Sequence, residues 1–118
     1  MEEGRLECSM LLDFYGELLT EKQRDCFDMH YNEDLSLSEI AEQLGISRQG
    51  VWDIIRRAES ALKEIESKTG LIRRFTRSRL ILDGLSEKMA ELAQLTDGRA
   101  GRLVEEAAKD IEAMKLEV

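Results

Sequence analysis

Residues 35–57, LSLSEIAEQLGISRQGVWDIIRR, restrict the fold of this chain more than any other segment. Their apolar side chains have the spacing that two crossing helices need to share a core. Those side chains are Ile40, Leu44, Ile46, Val51 and Ile54. Ala41 is small enough to let two helices approach closely, and Gly45 can turn the chain between them. The segment therefore predicts a helix-turn-helix.

Helix ends are marked by local signals on both sides of this motif. Thr20, Ser36 and Ser47 each precede an amphipathic run and can cap its first N–H groups. Gln23 and Glu39 lie three residues after the first two caps, the spacing of a capping box. Gly45 and Gly70 have the positions of left-handed C-terminal caps. With the apolar periodicity, these signals predict helices at 9–18, 21–32, 37–44, 48–67, 71–95 and 100–116.

Composition agrees with an all-α fold, because the 118 residues include no proline and only six aromatic side chains. A chain of this length can bury one modest core. We therefore predict a helix-turn-helix domain at 1–70, of the winged-helix or sigma region 4-like kind. A C-terminal helical extension at 71–118 follows it.

The extension carries two apolar stripes that need a partner. The first has the spacing of a coiled-coil seam and includes Leu82, Leu85, Met89 and Leu92. The second repeats that spacing in the last helix, at Ala100, Val104, Ala107, Ile111 and Met114. Either the last helix folds back on the fifth, or a second subunit covers the seam. Both alternatives stay open, and we expect a homodimer.

Charge is segregated along the chain, whose net value is −8. Residues 1–46 carry −9, residues 47–80 carry +5, and residues 81–118 carry −4. The net value argues against a simple nucleic-acid binder, but the basic middle segment could hold RNA phosphates or an acidic protein surface. Within it the run RRFTRSR has no acidic member, and it contributes Arg73, Arg74, Arg77 and Arg79. The alternative is a solvated face, with part of the charge absorbed by pairs such as Lys63 with Glu66.

The exposed side of the predicted fourth helix is the second candidate contact surface. It presents Arg48, Gln49, Trp52, Asp53 and Arg56, and Arg57 beside it belongs to the basic middle segment. Arg48 and Gln49 suit base edges in a DNA groove. Asp53 would face phosphate, and Trp52 is better suited to stacking on an unpaired base or filling a protein pocket. Sequence-specific DNA reading, an RNA or protein contact, and a purely structural helix all stay open as interpretations of this surface.

The segment LTEKQRDCFDMHY followed by the motif resembles region 4 of bacterial sigma factors, over residues 19–66. A closer resemblance, over residues 13–75, is to YlxM-like proteins. That family is associated with the signal recognition particle, since its genes commonly lie beside those of the particle's GTPases. The resemblance implies a regulator that binds the particle's RNA or its GTPase components, with DNA as the alternative partner.

The sequence offers no set of catalytic groups that we can assemble. His30 is the only histidine, expected on a helix surface, and no phosphate-binding glycine loop occurs. Cys8 and Cys26 lack metal-ligand spacing and are expected to be buried or half-buried, inert thiols. We therefore expect no enzyme activity, no cofactor and no metal. The first 30 residues are rich in acidic side chains and contain no long apolar run, so they predict neither a signal peptide nor a membrane span. We therefore expect a cytoplasmic protein without a membrane partner.

Overall fold

A computed structural model describes the backbone of residues 2–117 and the side chains of residues 4–117. The α-helices are α1 (Glu2–Tyr15), α2 (Glu21–Tyr31), α3 (Leu37–Leu44), α4 (Arg48–Thr69), α5 (Leu71–Leu95) and α6 (Gly98–Glu117). A 3-10 turn, Gly16–Leu18, follows α1. The predicted all-α fold is confirmed. Residues 2–117 contain no strand, so the β-hairpin wing of a winged helix is not part of the described structure.

Both predicted capping boxes form. The Thr20 hydroxyl accepts a hydrogen bond from the Gln23 N–H at 3.2 Å, and the Gln23 side chain accepts one from the Thr20 N–H at 3.1 Å. Ser36 and Glu39 make the same reciprocal pair, at 3.1 and 3.0 Å. The bond from the Ser36 backbone lowers the pKa of Glu39 below its usual range. These bonds satisfy N–H groups that otherwise lack partners at a helix start.

The turn of the motif also has the predicted geometry. The Ser47 hydroxyl caps α4 by accepting a hydrogen bond from the Gly50 N–H at 3.0 Å. Gly45 and Gly70 end α3 and α4 with φ of 66° and 63°, the left-handed region where a side chain is disfavoured. The α3–turn–α4 segment is therefore a helix-turn-helix.

The first helix begins earlier than the predicted residue 9. Residues 2–7 are mostly charged and give little apolar signal. In the structure, however, Cys8, Leu11 and Tyr15 are buried at three- and four-residue spacing along α1. Cys8 extends this buried stripe by one turn before Leu11, and Arg5 pairs with Asp34 after α2. Contacts with other segments therefore favour helix upstream of residue 9, because tertiary packing stabilises a helix more than local propensity does.

The chain folds into two compact units, Met1–Ile72 and Arg73–Val118. In the first unit α4 packs against α1, α2 and α3. Ala41 is buried, as the predicted close approach of α3 and α4 requires. The two cysteines are buried and free, as predicted. The buried cluster of this unit is formed by Cys8, Leu11, Tyr15, Leu19, Cys26, Phe27, Ile40, Ala41, Val51, Ile55, Ala58 and Leu62.

In the second unit α6 runs antiparallel along α5. The Ser86 hydroxyl donates to the Glu112 carboxylate at 3.0 Å, and Lys115 pairs with Asp83 at 3.1 Å. The hairpin alternative is therefore realised. It covers only part of the predicted seam, because Leu85 remains exposed and Val104 is the one buried hydrophobic residue among the described residues of this unit.

None of the helices within residues 2–117 combines the length and the apolar character that a membrane span requires.

Candidate nucleic-acid interface

The direction of the α4 side chains is fixed by packing on the opposite side of the helix. Val51, Ile55, Ala58 and Leu62 are fully buried, at the three- and four-residue spacing of one helix face. Side chains on the other faces of α4 point away from the core. This places Gln49 and Trp52 on the solvent side of the first turns of α4.

Trp52 has an unusual environment for a large aromatic side chain. It is 41% exposed, and it lines an open depression of about 570 Å³ together with Leu37, Arg48 and Gln49. The indole therefore presents an apolar surface beside a guanidinium and an amide. Such a combination can stack on a flat ring and donate hydrogen bonds at its edge. We call Arg48, Gln49, Trp52, Asp53, Arg56 and Arg57 the α4 contact face.

Two members of the α4 contact face are bonded to each other. The Gln49 Nε2 donates to Asp53 Oδ1 at 3.1 Å, one helical turn apart. This bond orients the amide and occupies part of the carboxylate. Arg56 and Arg57 follow on the next turn and are both exposed. The α4 contact face thus combines three guanidinium groups with one carboxylate.

Further along α4 the lysines are partly neutralised. Lys63 pairs with Glu59 at 3.5 Å, and Lys68 pairs with Glu64 at 3.4 Å. Lys63 thus pairs with Glu59 four residues before it, and the Glu66 carboxylate accepts hydrogen bonds from Tyr15 and Ile72. The positive charge of α4 is therefore concentrated in the arginines of the contact face.

The basic run of α5 lies in the second unit, whereas the α4 contact face lies in the first. Arg73, Arg74 and Arg77 are exposed. Arg79 is half-buried and its Nη1 donates to the carbonyl oxygen of Lys115 at 2.8 Å. Arg79 therefore helps to hold the α5–α6 hairpin.

His30 is placed differently from its predicted exposed position. It is half-buried, its Nδ1 lies 3.0 Å from the Leu35 carbonyl oxygen, and its ring meets Tyr31 edge-on. It also lines an open depression of about 410 Å³ with Cys8 and Glu59. The Cys8 thiol donates to Glu59 at 3.2 Å, and burial, with this bond, raises the pKa of Cys8 to about 12. The thiol therefore stays protonated and unreactive at neutral pH. No sequence spacing could have found this group, because its members come from three separate helices.

Comparison with known proteins agrees with the helix-turn-helix geometry. Residues 2–100 match the family described as "Putative helix-turn-helix protein, YlxM / p13 like". A UPF0122 protein of Thermoanaerobacter sp. (strain X514) is 42% identical over 117 residues, which cover 98% of this chain and 100% of that protein. A UPF0122 protein of Thermoanaerobacter pseudethanolicus is 42% identical over 115 residues, covering 97% and 98% of the two chains. A UPF0122 protein of Clostridium kluyveri is 57% identical over 70 residues, covering 59% and 63%.

Proposed function

Because the chain belongs to the YlxM/p13-like family of helix-turn-helix proteins, we propose that it is a regulatory, non-catalytic protein that binds RNA of the signal recognition particle. In this proposal the α4 contact face binds the RNA. Its target is an unpaired segment, in which bases are free to stack on a side chain.

The observation that carries the proposal is the exposure of Trp52 beside Arg48 and Gln49. A rigid indole fits poorly between the walls of a duplex groove, where recognition helices present hydrogen-bonding side chains. A base that has left its stack, by contrast, can lie flat on the ring, a contact worth about 1–3 kcal/mol. Arg48 would then reach the phosphate and Gln49 the base edge.

The choice of this RNA rests on the resemblance to YlxM-like proteins, which implies a link to the signal recognition particle. The charge distribution is compatible with it. The acidic segment 1–46 opposes unspecific attachment to polyanions, while the arginines of the α4 contact face attract phosphate locally. Such an arrangement favours one structured RNA over bulk nucleic acid.

Sequence-specific DNA binding is the second candidate, and the helix-turn-helix itself favours it. Arg48 and Gln49 lie at the start of α4, the end of a recognition helix that usually contacts base edges. In that case the protein would be a transcription regulator. Trp52 would then contact sugar or a thymine methyl group.

Binding measurements with labelled particle RNA and with random duplex DNA separate the two candidates. We expect saturable binding of the RNA, with a loss of about 5- to 150-fold for Trp52→Ala, the range that one stacked base implies. Trp52→Phe should retain part of the affinity because it keeps a ring. Arg48→Gln removes the guanidinium group that the proposal places at an RNA phosphate. Its matched charge control is Arg102→Gln, because Arg102 is an exposed arginine of α6. Enrichment of one duplex sequence without RNA binding would replace the proposal by the DNA candidate.

A further inference from the structure

The α5–α6 hairpin leaves large apolar side chains in contact with solvent. Each helix contributes to them, and their exposed fractions exceed a third of the side chain. Five of them are Ile81 at 55%, Leu85 at 37%, Leu92 at 41%, Leu103 at 53% and Met114 at 51%, and Leu80, Leu95 and Leu116 are exposed outside this set. We call these five residues the apolar face.

Helix geometry places the members of the apolar face on one side of the hairpin. Ile81, Leu85 and Leu92 are four and seven residues apart, so they share one flank of α5. Leu103 and Met114 are separated by three helical turns and share one flank of α6. Ile81 of α5 and Met114 of α6 line one open depression of about 260 Å³, so the two flanks turn to the same side of the hairpin.

This hairpin has the form of half a helical bundle. Two packed helices bury little, and Val104 is the one buried hydrophobic residue among the described residues of the unit. We propose that a second copy of this chain covers the apolar face. The product is a four-helix bundle whose two-fold axis runs parallel to the helices, so that α5 of each copy packs on α6 of the other.

The size of the apolar face matches what a dimer needs. A helix the length of α6 spans about 30 Å, and two helices packed side by side are about 20 Å wide. One copy can therefore bury about 600 Å², and the pair about 1,200 Å², the lower end of the range for stable protein interfaces. Such an interface, symmetric and apolar at its centre, suits a micromolar dimer.

Charges at the rim select a second copy in this orientation. On α5 the apolar face is bordered by Lys88, and on α6 by Asp110. The Ser86–Glu112 bond sets the register of the hairpin, and by the same register Lys88 and Asp110 lie at one height on opposite outer edges. Rotation about a two-fold axis parallel to the helices leaves the height of each residue along the helices unchanged. It therefore brings Lys88 of each copy beside Asp110 of the other.

The alternative two-fold arrangement, with α5 on α5, would bring the two Lys88-bearing edges together. Within residues 4–117 neither Lys88 nor Asp110 forms an ion pair in its own chain. Both charges are therefore available to a second copy. Complementary charges at the rim of an interface determine the partner and its orientation in helical bundles.

Sedimentation of the full chain tests the apolar face. We expect a concentration-dependent dimer, and Leu85→Lys should weaken its dissociation constant on the order of 100-fold, since both copies lose an apolar contact and gain a buried charge. Leu80→Lys is the matched control, because Leu80 is 68% exposed and lies on the side of α5 away from the apolar face. A native chain that sediments as a monomer up to about 100 µM overturns the proposal.

A charge exchange tests the orientation without disturbing the apolar contacts. Lys88→Glu and Asp110→Lys should each weaken self-association about tenfold, because two attractive pairs become repulsive. An equimolar mixture of the two variants should restore the dimer, since both pairs are then attractive. If circular dichroism shows both variants folded and the mixture does not associate better than either alone, the proposed packing is wrong.

Discussion

Replacing Tyr15 by Phe tests how the first unit holds the end of α4. The buried Tyr15 hydroxyl donates to Glu66 Oε1 at 2.5 Å and lies 2.6 Å from the Thr69 hydroxyl. The same Glu66 oxygen accepts the Ile72 N–H at 2.9 Å, at the start of α5. Phe keeps the ring but removes the hydroxyl. Because a hydrogen bond to a charged group contributes about 1.5–3 kcal/mol, we expect Tyr15→Phe to lower the free energy of unfolding by about 2 kcal/mol.

Urea unfolding followed by fluorescence measures this loss, since Trp52 is the only tryptophan and lies in the same unit as Tyr15. Ser67→Ala is the control, because Ser67 makes an exposed hydrogen bond and should change the free energy by no more than about 0.5 kcal/mol. A double-mutant cycle with Glu66→Ala isolates the pair. A loss below about 0.5 kcal/mol for Tyr15→Phe, with no coupling to Glu66, would refute the reasoning.

Other predictions address pH, binding and backbone conformation. Burial and the Glu59 carboxylate raise the pKa of Cys8 from 9.0 to about 12, so its protonated form stabilises the fold below pH 9. Stability should then fall by about 1.4 kcal/mol per pH unit between pH 9 and about 12, and urea titrations should show a shallower fall for Cys8→Ala. Asp53→Asn removes a negative charge from the α4 contact face and should tighten RNA binding about threefold in a filter assay; weaker binding would mean that the carboxylate accepts a base N–H. Gly45→Ala places a side chain at φ of 66° and should cost about 1–2 kcal/mol, whereas Gly84→Ala, with open space inside α5, should gain about 0.5–1 kcal/mol in thermal melts.

Helix ends and turns that depend on residues close together in the sequence could be predicted, and they define most of the fold. Capping boxes at Thr20 and Ser36 and the glycine turn at Gly45 depend on residues within four positions of one another. The hydrogen bond from Tyr15 to Glu66 joins residues 51 positions apart, and no local pattern signals it. The early start of α1 could not be predicted for the same reason, since it depends on packing against other helices.

In the candidate site, too, features within one helix could be predicted, and features that join distant segments could not. Exposure of Trp52 follows from helical spacing, and the Gln49–Asp53 bond joins positions one turn apart. Which helix covers the α5 seam could not be predicted from spacing, because a folded-back helix and a second subunit require the same apolar stripe. In the structure α6 folds back and covers one flank of α5, and it leaves the other flank exposed to solvent.

Trp52 fluorescence, measured while the particle RNA is added to the native protein, tests the central claim most directly. Because the chain has one tryptophan, any change in its emission reports the α4 contact face. Stacking of a base on the indole predicts saturable quenching by the RNA, reversed by salt as phosphate contacts are released. Quenching should be absent with random duplex DNA at the same salt. Unchanged emission at RNA concentrations that saturate binding would contradict the account, because the RNA would then be held elsewhere on the protein.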